Sequence, residues 1–338
     1  MRKLLLTVAV TLAGTAAQAQ DFAGYDQLTI DAEHRTRPIA GSIWYPVGTP
    51  TYRGLIGDNA VFQGTSAYVG AAVKEGSYPL VLLSHGSGGN MDGLGWLSSE
   101  LANRGIMVLA VNHPGSTSGD SSPRRSILLD DRAADISEAL DHILADPTFG
   151  PKIDQSRIVS VGFSLGGTTV LTLAGARLER DLYRDYCARL PDAEDCVFFK
   201  KGGVDFDNLP ESWTNDMSDP RLTAAIAVDP GMTYAIAPQT AATMTLPIMV
   251  LSLGGPGLLW KATDVGPTGS NLMANLPNGT RQTVTQANHF SFLGLCKPEG
   301  AAILIEEKDD PVCNDPQGSI RSEVHQQSIE KIAAFVLK

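Results

Sequence analysis

Arg157-Ile158-Val159-Ser160-Val161-Gly162-Phe163-Ser164-Leu165-Gly166-Gly167 is the stretch whose reading decides the fold. Residues 157–161 form a β-branched run, as a buried strand does. Residues 168–174, Thr168-Thr169-Val170-Leu171-Thr172-Leu173-Ala174, are apolar enough for a helix packed on a sheet. Between them lies G-x-S-x-G, the pattern of a sharp strand-to-helix turn that carries a nucleophilic serine. A turn this tight strains the serine backbone. It also leaves no room for a side chain at Gly162 or Gly166. The gain is a hydroxyl held above the sheet at a helix N-terminus, where partial positive charge favours a developing anion. The motif alone occurs by chance; here the flanking strand and helix supply the context it needs.

The rest of the chain extends that strand-turn-helix unit. Tyr78 to Ser84 reads as a fully apolar strand, followed by His85-Gly86-Ser87-Gly88-Gly89 and a helix over Gly93 to Arg104. Ile106 to Val111 is the next strand, ending in Asn112-His113-Pro114-Gly115. Asp130 to Ala145 is a helix with Ala134, Ile136, Leu140 and Ile143 at helical spacing. Strands apolar on both faces, alternating with helices, make a mostly parallel sheet covered on both sides. Further strands are expected at Leu222 to Val228, Leu246 to Leu253 and Arg281 to Thr285, with a terminal amphipathic helix over Ser322 to Leu337. An N-terminal hairpin spans Leu28 to Ile30 and Pro38 to Tyr45. Thr49 to Gly76, rich in Gly, Ala and Ser, is expected to be a loop over the site face. Arg177 to Asp219 breaks the alternation and is long, charged and aromatic, so it reads as an inserted helical lid.

The 338 residues suffice for one large α/β domain. Arg2-Lys3, an apolar run from Leu4 to Ala13 and Ala17-Gln18-Ala19 read as a secretory signal peptide over residues 1–19. Its apolar core is too short to span a bilayer. Removing its two basic residues takes the net charge from −11 to −13. An acidic surface argues against nucleic acid and anionic lipid as partners. Four cysteines remain, an even number that in an exported chain suggests disulfides. The sequence-local pairing, Cys187–Cys196 and Cys296–Cys313, is expected because each pair brackets a polar, turn-rich loop. A zinc site lacks both a C-x-x-C motif and a nearby histidine. Asp309, Asp310 and Asp315 lack the spacing of a calcium loop and read as a solvated acidic turn.

A serine at neutral pH needs an imidazole to take its proton and a carboxylate to orient that imidazole. After Ser164 the histidines are His289 and His325. His325 falls on the terminal helix, where an exposed histidine is expected. His289 follows the last strand and is the expected base. The acid is Asp229, which ends a core strand before Pro230-Gly231; Asp264 is the competing position. Expected donors to an oxyanion are the backbone amides of Leu165 and of Ser87, with Gly88 as a second possibility in that loop. His85 is expected to hold the loop by hydrogen bonds. Gly88 and His113 are candidates to line the pocket.

From about Pro38 onward the chain resembles the α/β-hydrolase fold. More narrowly it is similar to predicted dienelactone hydrolases and platelet-activating-factor acetylhydrolase-like esterases. The residues carrying this are Trp44-Tyr45-Pro46, Ser84 to Gly89, Asn112 to Gly115, Gly162 to Gly167 and Val228-Asp229-Pro230-Gly231. The resemblance implies an α/β-hydrolase domain over residues 20–338, with a lid insertion at about 177–219. It implies an acid after the strand that follows the lid, in agreement with Asp229, and ester hydrolysis without a metal or other cofactor. Ser164 replaces the cysteine of true dienelactone hydrolases, so dienelactone is not the expected substrate. The expectation is an exported serine carboxylic-ester hydrolase, periplasmic or secreted, acting on a small-molecule ester through an acyl-enzyme. An acyltransferase and a non-catalytic binding protein on the same scaffold are the alternatives.

Overall fold

The computed structural model describes residues 22–338; the signal peptide read at residues 1–19 lies outside the described residues. Ten strands form one sheet: β1 Gly24–Ile30, β2 Ile39–Tyr45, β3 Arg53–Ile56, β4 Thr65–Val69, β5 Tyr78–Ser84, β6 Met107–Val111, β7 Ile153–Phe163, β8 Ala224–Val228, β9 Ile248–Leu253 and β10 Gly279–Val284. Their order across the sheet is β10-β9-β8-β7-β5-β6-β2-β1-β4-β3. From β10 to β6 every neighbouring pair is parallel. The antiparallel pairs lie toward the other edge, where β2 meets β6 and β1, and β3 meets β4.

The apolar strands are buried from both sides, and alternate residues feed different cores. Val81 and Leu83 of β5 pack with Leu97 and Leu101 of helix α1 (Gly95–Asn103) and with Ile332 of the terminal helix. Leu80 and Leu82 pack instead with Ile136, Leu140 and Ile143 of helix α2 (Leu129–Ala145). Helix α3 (Leu165–Leu173) is buried along its whole length. It descends from the C-terminal end of β7, where the strand order turns over and a crevice opens.

Residues 49–76 depart from the loop expected there. Short strands β3 and β4 occupy much of the stretch, and β4 runs parallel to β1, pairing Gly24 with Tyr68 and Tyr25 with Val69. Edge strands are held by backbone pairing, and their half-exposed faces impose little apolar alternation, so composition resembles a loop. Residues between them do reach the site face. Gln63 N–H donates to the Leu295 carbonyl (2.8 Å), and Lys297 N–H to that of Val61 (2.8 Å).

The segment between α3 and β8 carries helices α4 (Arg180–Arg189) and α5 (Glu194–Lys201). Tyr183, Tyr186, Phe199 and Trp213 are buried in one cluster with Leu165, Val170 and Leu171 of α3. The Trp213 indole donates to the Ile127 carbonyl at 2.8 Å. The insertion is thus packed onto the helix that follows the turn. Both local disulfides are present, with Cα separations of 5.5 Å for Cys187–Cys196 and 5.9 Å for Cys296–Cys313. The second ties the loop before helix α6 (Gly300–Glu307) to the segment leading into helix α7 (Arg321–Val336). Among the described residues no helix is long and apolar enough to cross a membrane.

Loss of a native disulfide commonly costs about 2–5 kcal/mol. Reduction of the folded protein is therefore expected to lower its melting temperature, and non-reducing peptide mapping should recover 187–196 and 296–313 as the linked pairs. Crossed pairs would contradict this topology.

Candidate active site

Ser164 stands at φ +57°, ψ −119°, between the last residue of β7 and the first of α3. The neighbouring glycines are a steric requirement. A Cβ on Gly162 would lie 2.0 Å from the Gly166 carbonyl oxygen, and one on Gly166 would lie 2.0 Å from that of Ser84. The turn is anchored from the side: Ser164 N–H donates to the Val228 carbonyl (2.9 Å), and Gly231 N–H to that of Ser164 (3.2 Å).

Asp229 follows β8 at φ +43° and is fully buried. Its Oδ1 accepts from Leu253 N–H at 3.0 Å. Its Oδ2 faces His289 Nδ1 at 2.6 Å, and His289 Nε2 lies 2.9 Å from Ser164 Oγ. With Nδ1–H donating a hydrogen bond to the carboxylate, Nε2 is left as the acceptor for the serine hydroxyl. The three residues expected from sequence are therefore brought into one hydrogen-bonded chain. An imidazole so held can accept the serine proton. Asp264 is elsewhere engaged, closing its own turn through Gly266 N–H (2.9 Å) and Thr268 Oγ1 (2.7 Å).

Two devices fix His289. A capping box joins Asn288 and Ser291 around it, and Ser291 Oγ donates to Asp315 (2.7 Å), which also receives the Arg321 guanidinium. Asp315 is thus part of the support, and the solvated acidic turn expected there is corrected for this residue. The imidazole also packs against two rings, Phe163 at 4.7 Å and Trp260 at 4.2 Å, inclined by 31° and 24°. The N-x-x-S spacing of 288–291 signals the cap; nothing in the sequence around Trp260 signals the stack.

The His85–Gly89 loop closes a turn from Gly86 to Gly89 (3.1 Å), with Gly88 at φ +75°. Gly88 lines the cleft, but its amide already donates to the Ser116 carbonyl at 2.9 Å, which removes it as an anion donor. Ser87 is the remaining choice in this loop. Leu165 heads α3, where an N–H has no carbonyl one turn earlier to receive it. Gly86 abuts Ser164, since a Cβ there would come within 3.1 Å of the serine Cβ.

The sequence matches the alpha/beta hydrolase family over residues 80–294, which is more than half of the chain. The chain belongs to this family. It is 37% identical over 82 residues to lipase 1 of Moraxella sp. (strain TA144), covering 24% of this chain and 23% of that protein. It is 30% identical over 106 residues to cutinase est1 of Thermobifida alba, covering 31% and 33%. The chain thus matches only a quarter to a third of the length of these relatives. The fold is shared nearly end to end with a ferulic acid esterase from Streptomyces cinnamoneus, at 19% identity and TM-score 0.62, covering 95% of this chain and 91% of that one.

In this alpha/beta hydrolase a cleft of about 1790 Å³ opens over Ser164. Its walls include Phe62, Phe198 of the insertion, Trp260 and Leu295. His113 does not reach it. That residue is fully buried, with Nδ1 on Asp135 (2.8 Å) and Nε2 on Ser84 Oγ (2.9 Å), and burial drops its pKa to about 4. His85 does brace the loop, through Nδ1 to the Gly86 carbonyl at 2.6 Å. His325 is corrected from exposed to buried. It stacks on Trp96 at 3.7 Å, donates through Nε2 to the Leu293 carbonyl (2.9 Å), and is held by burial at a pKa of about 4. In the insertion, burial raises Asp195 to about 6, and this carboxylate accepts from Tyr186 OH (3.0 Å) and Met232 N–H (3.2 Å).

Asp229→Asn is expected to lower kcat by orders of magnitude with little change in melting temperature, because the amide no longer enforces the Nδ1–H tautomer of His289. Asp264→Asn should be close to neutral. Rates of both variants on one ester check this, and a crippled Asp264→Asn beside an active Asp229→Asn would reassign the acid.

Proposed function

We propose that this protein is an exported serine carboxylic-ester hydrolase acting through an acyl-enzyme. The observation that carries the reading is the hydrogen-bonded chain Asp229–His289–Ser164, ending on a serine in strained backbone at a helix N-terminus. Ser164 Oγ attacks the ester carbonyl as its proton passes to His289 Nε2. Asp229 holds the imidazole in the required tautomer and stabilises the imidazolium. The amides of Ser87 and Leu165 receive the negative charge that develops on the carbonyl oxygen. His289 returns the proton to the departing alcohol. Water then attacks the acyl-serine by the same route and releases the acid. No cofactor is called for in any step.

The names of the relatives support an ester as substrate: lipase and cutinase for the sequence matches, ferulic acid esterase for the shared fold. The narrower likeness to platelet-activating-factor acetylhydrolase-like esterases supports ester hydrolysis by serine. The cleft exceeds the roughly 300–1,000 Å³ of a drug-sized site, so it leaves room for an ester larger than a short-chain one. We read the segment at 177–219 as a lid whose α5 edge, with Val197 and Phe198 partly exposed, walls that cleft. Export rests on the leader at residues 1–19 and on the two disulfides, which persist in oxidising compartments.

Hydrolysis of p-nitrophenyl esters of rising acyl length tests the reading, with methanol added in parallel to detect transfer to an alcohol. Ser164→Ala is expected to keep its circular dichroism spectrum and lose nearly all turnover. Wild-type-like turnover in that variant would remove Ser164 from the mechanism.

A further inference from the structure

Helix α2 carries a fully buried guanidinium that the reaction steps above do not use. Arg132 is 1% exposed. Its Nε donates to Thr169 Oγ1 at 3.0 Å, Nη1 to Ser116 Oγ at 2.8 Å, and Nη2 to Ser84 Oγ at 3.2 Å and to the His85 carbonyl. Two of these acceptors, the His85 carbonyl and Thr169, belong to the structures that would supply the anion donors, and the other two adjoin the loop. The His85 carbonyl begins the loop that carries Ser87. Ser116 is the residue whose carbonyl takes the Gly88 amide (2.9 Å). Thr169 lies on α3 and passes its own proton to the Leu165 carbonyl (3.1 Å). A single rigid fork therefore holds the Ser87 loop directly through the His85 carbonyl, braces it through Ser84 and Ser116 beside it, and holds α3 through Thr169.

We propose that Arg132 is a positioning residue that fixes the spacing between the Ser87 and Leu165 amides. The inference rests on the reading of those amides as the oxyanion donors. A buried cation is costly, and its retention needs a return. Burial lowers the Arg132 pKa to about 9, which leaves it charged at neutral pH. Asp135, the carboxylate on its helix whose charge acts on Arg132, is occupied by His113, His34 and Arg35. The guanidinium therefore spends its donors on neutral oxygens of the two loops rather than on an ion pair. A planar fork serves this purpose better than an ammonium, because several acceptors must be met at fixed angles.

Arg132→Met and Arg132→Lys test the proposal, with active sites titrated by a fluorophosphonate so that rates refer to competent enzyme. One readout is kcat and KM on p-nitrophenyl acetate. The other is inhibition by an alkyl trifluoromethyl ketone, whose serine adduct places an oxyanion in the pocket. Loss of one donor outright costs about 10²–10³ in kcat, so loosened donors in Arg132→Met are expected to cost about 10–100-fold per titrated site. Ketone inhibition should weaken by a similar factor while KM moves less than about threefold, and Arg132→Lys should recover part of the loss. A kcat per titrated site and a ketone affinity both within about threefold of wild type would overturn the inference. If Arg132→Met does not fold, Thr169→Val, which removes one acceptor at constant shape, is read by the same criteria. Ser164→Ala on the same ester separates the failures. An active Ser164→Ala sinks the esterase reading and this inference with it; an inactive Ser164→Ala beside normal Arg132 variants sinks this inference alone.

Discussion

The close approach of β7, α3 and β5 at Gly162 and Gly166 is the constraint on which the rest depends. Each glycine has a backbone oxygen 2.0 Å from where a Cβ would be. Only with both side chains absent does the strand reverse into the helix within one residue, and only then is Ser164 driven to φ +57°. That strain is held by the parallel sheet beside it, through the Val228 carbonyl and the Gly231 amide. The same two anchors bring the end of β8, and so Asp229, next to the serine. Backbone geometry at one turn thus sets where the carboxylate must lie, and His289 spans the gap between them.

Much of this was legible in the sequence because it is enforced by short-range sterics and by position along the chain. G-x-S-x-G between a β-branched run and an apolar helix marks the turn. Asp229 before Pro230-Gly231 marks a strand end at the rim, and His289 follows the last strand. The supports were not legible, for physical reasons that differ. Arg132 and Asp135 sit among Asp130, Asp131 and Glu138 and look like the solvated face of α2. Yet Arg132 precedes Ile136 by one turn and so falls on the buried stripe, a placement that spacing could have disclosed. The burial of His325 is not legible in the sequence, because a helix reveals its buried face only once its neighbours are known; here Trp96 covers it. The short strands at 53–69 are recruited by pairing with β1, which local composition cannot express.

The site is surrounded by rigid supports on one side and by longer excursions on the other. Behind the serine lie buried polar groups, Arg132, His85, His113 and Asp135, joined into one network with Ser84. In front, the cleft is walled by segments far apart in the chain, the 57–65 stretch, α5 and the loop carrying Trp260. Polar contacts link these walls to the catalytic frame, as where Asp195 of α5 receives the Met232 amide just past Asp229. On the proposed reading, chemistry sits at the ends of strands β7, β8 and β10, and recognition on the segments walling the cleft, a division that lets one scaffold serve many substrates.

The central claim is that Ser164 is the residue that takes the acyl group, made nucleophilic by His289. Labelling with a fluorophosphonate followed by peptide mass spectrometry tests it most directly. The account predicts one adduct per chain, on the peptide containing Ser164, with labelling slowed by orders of magnitude in His289→Ala. An adduct on a different residue, or undiminished labelling without His289, would contradict it.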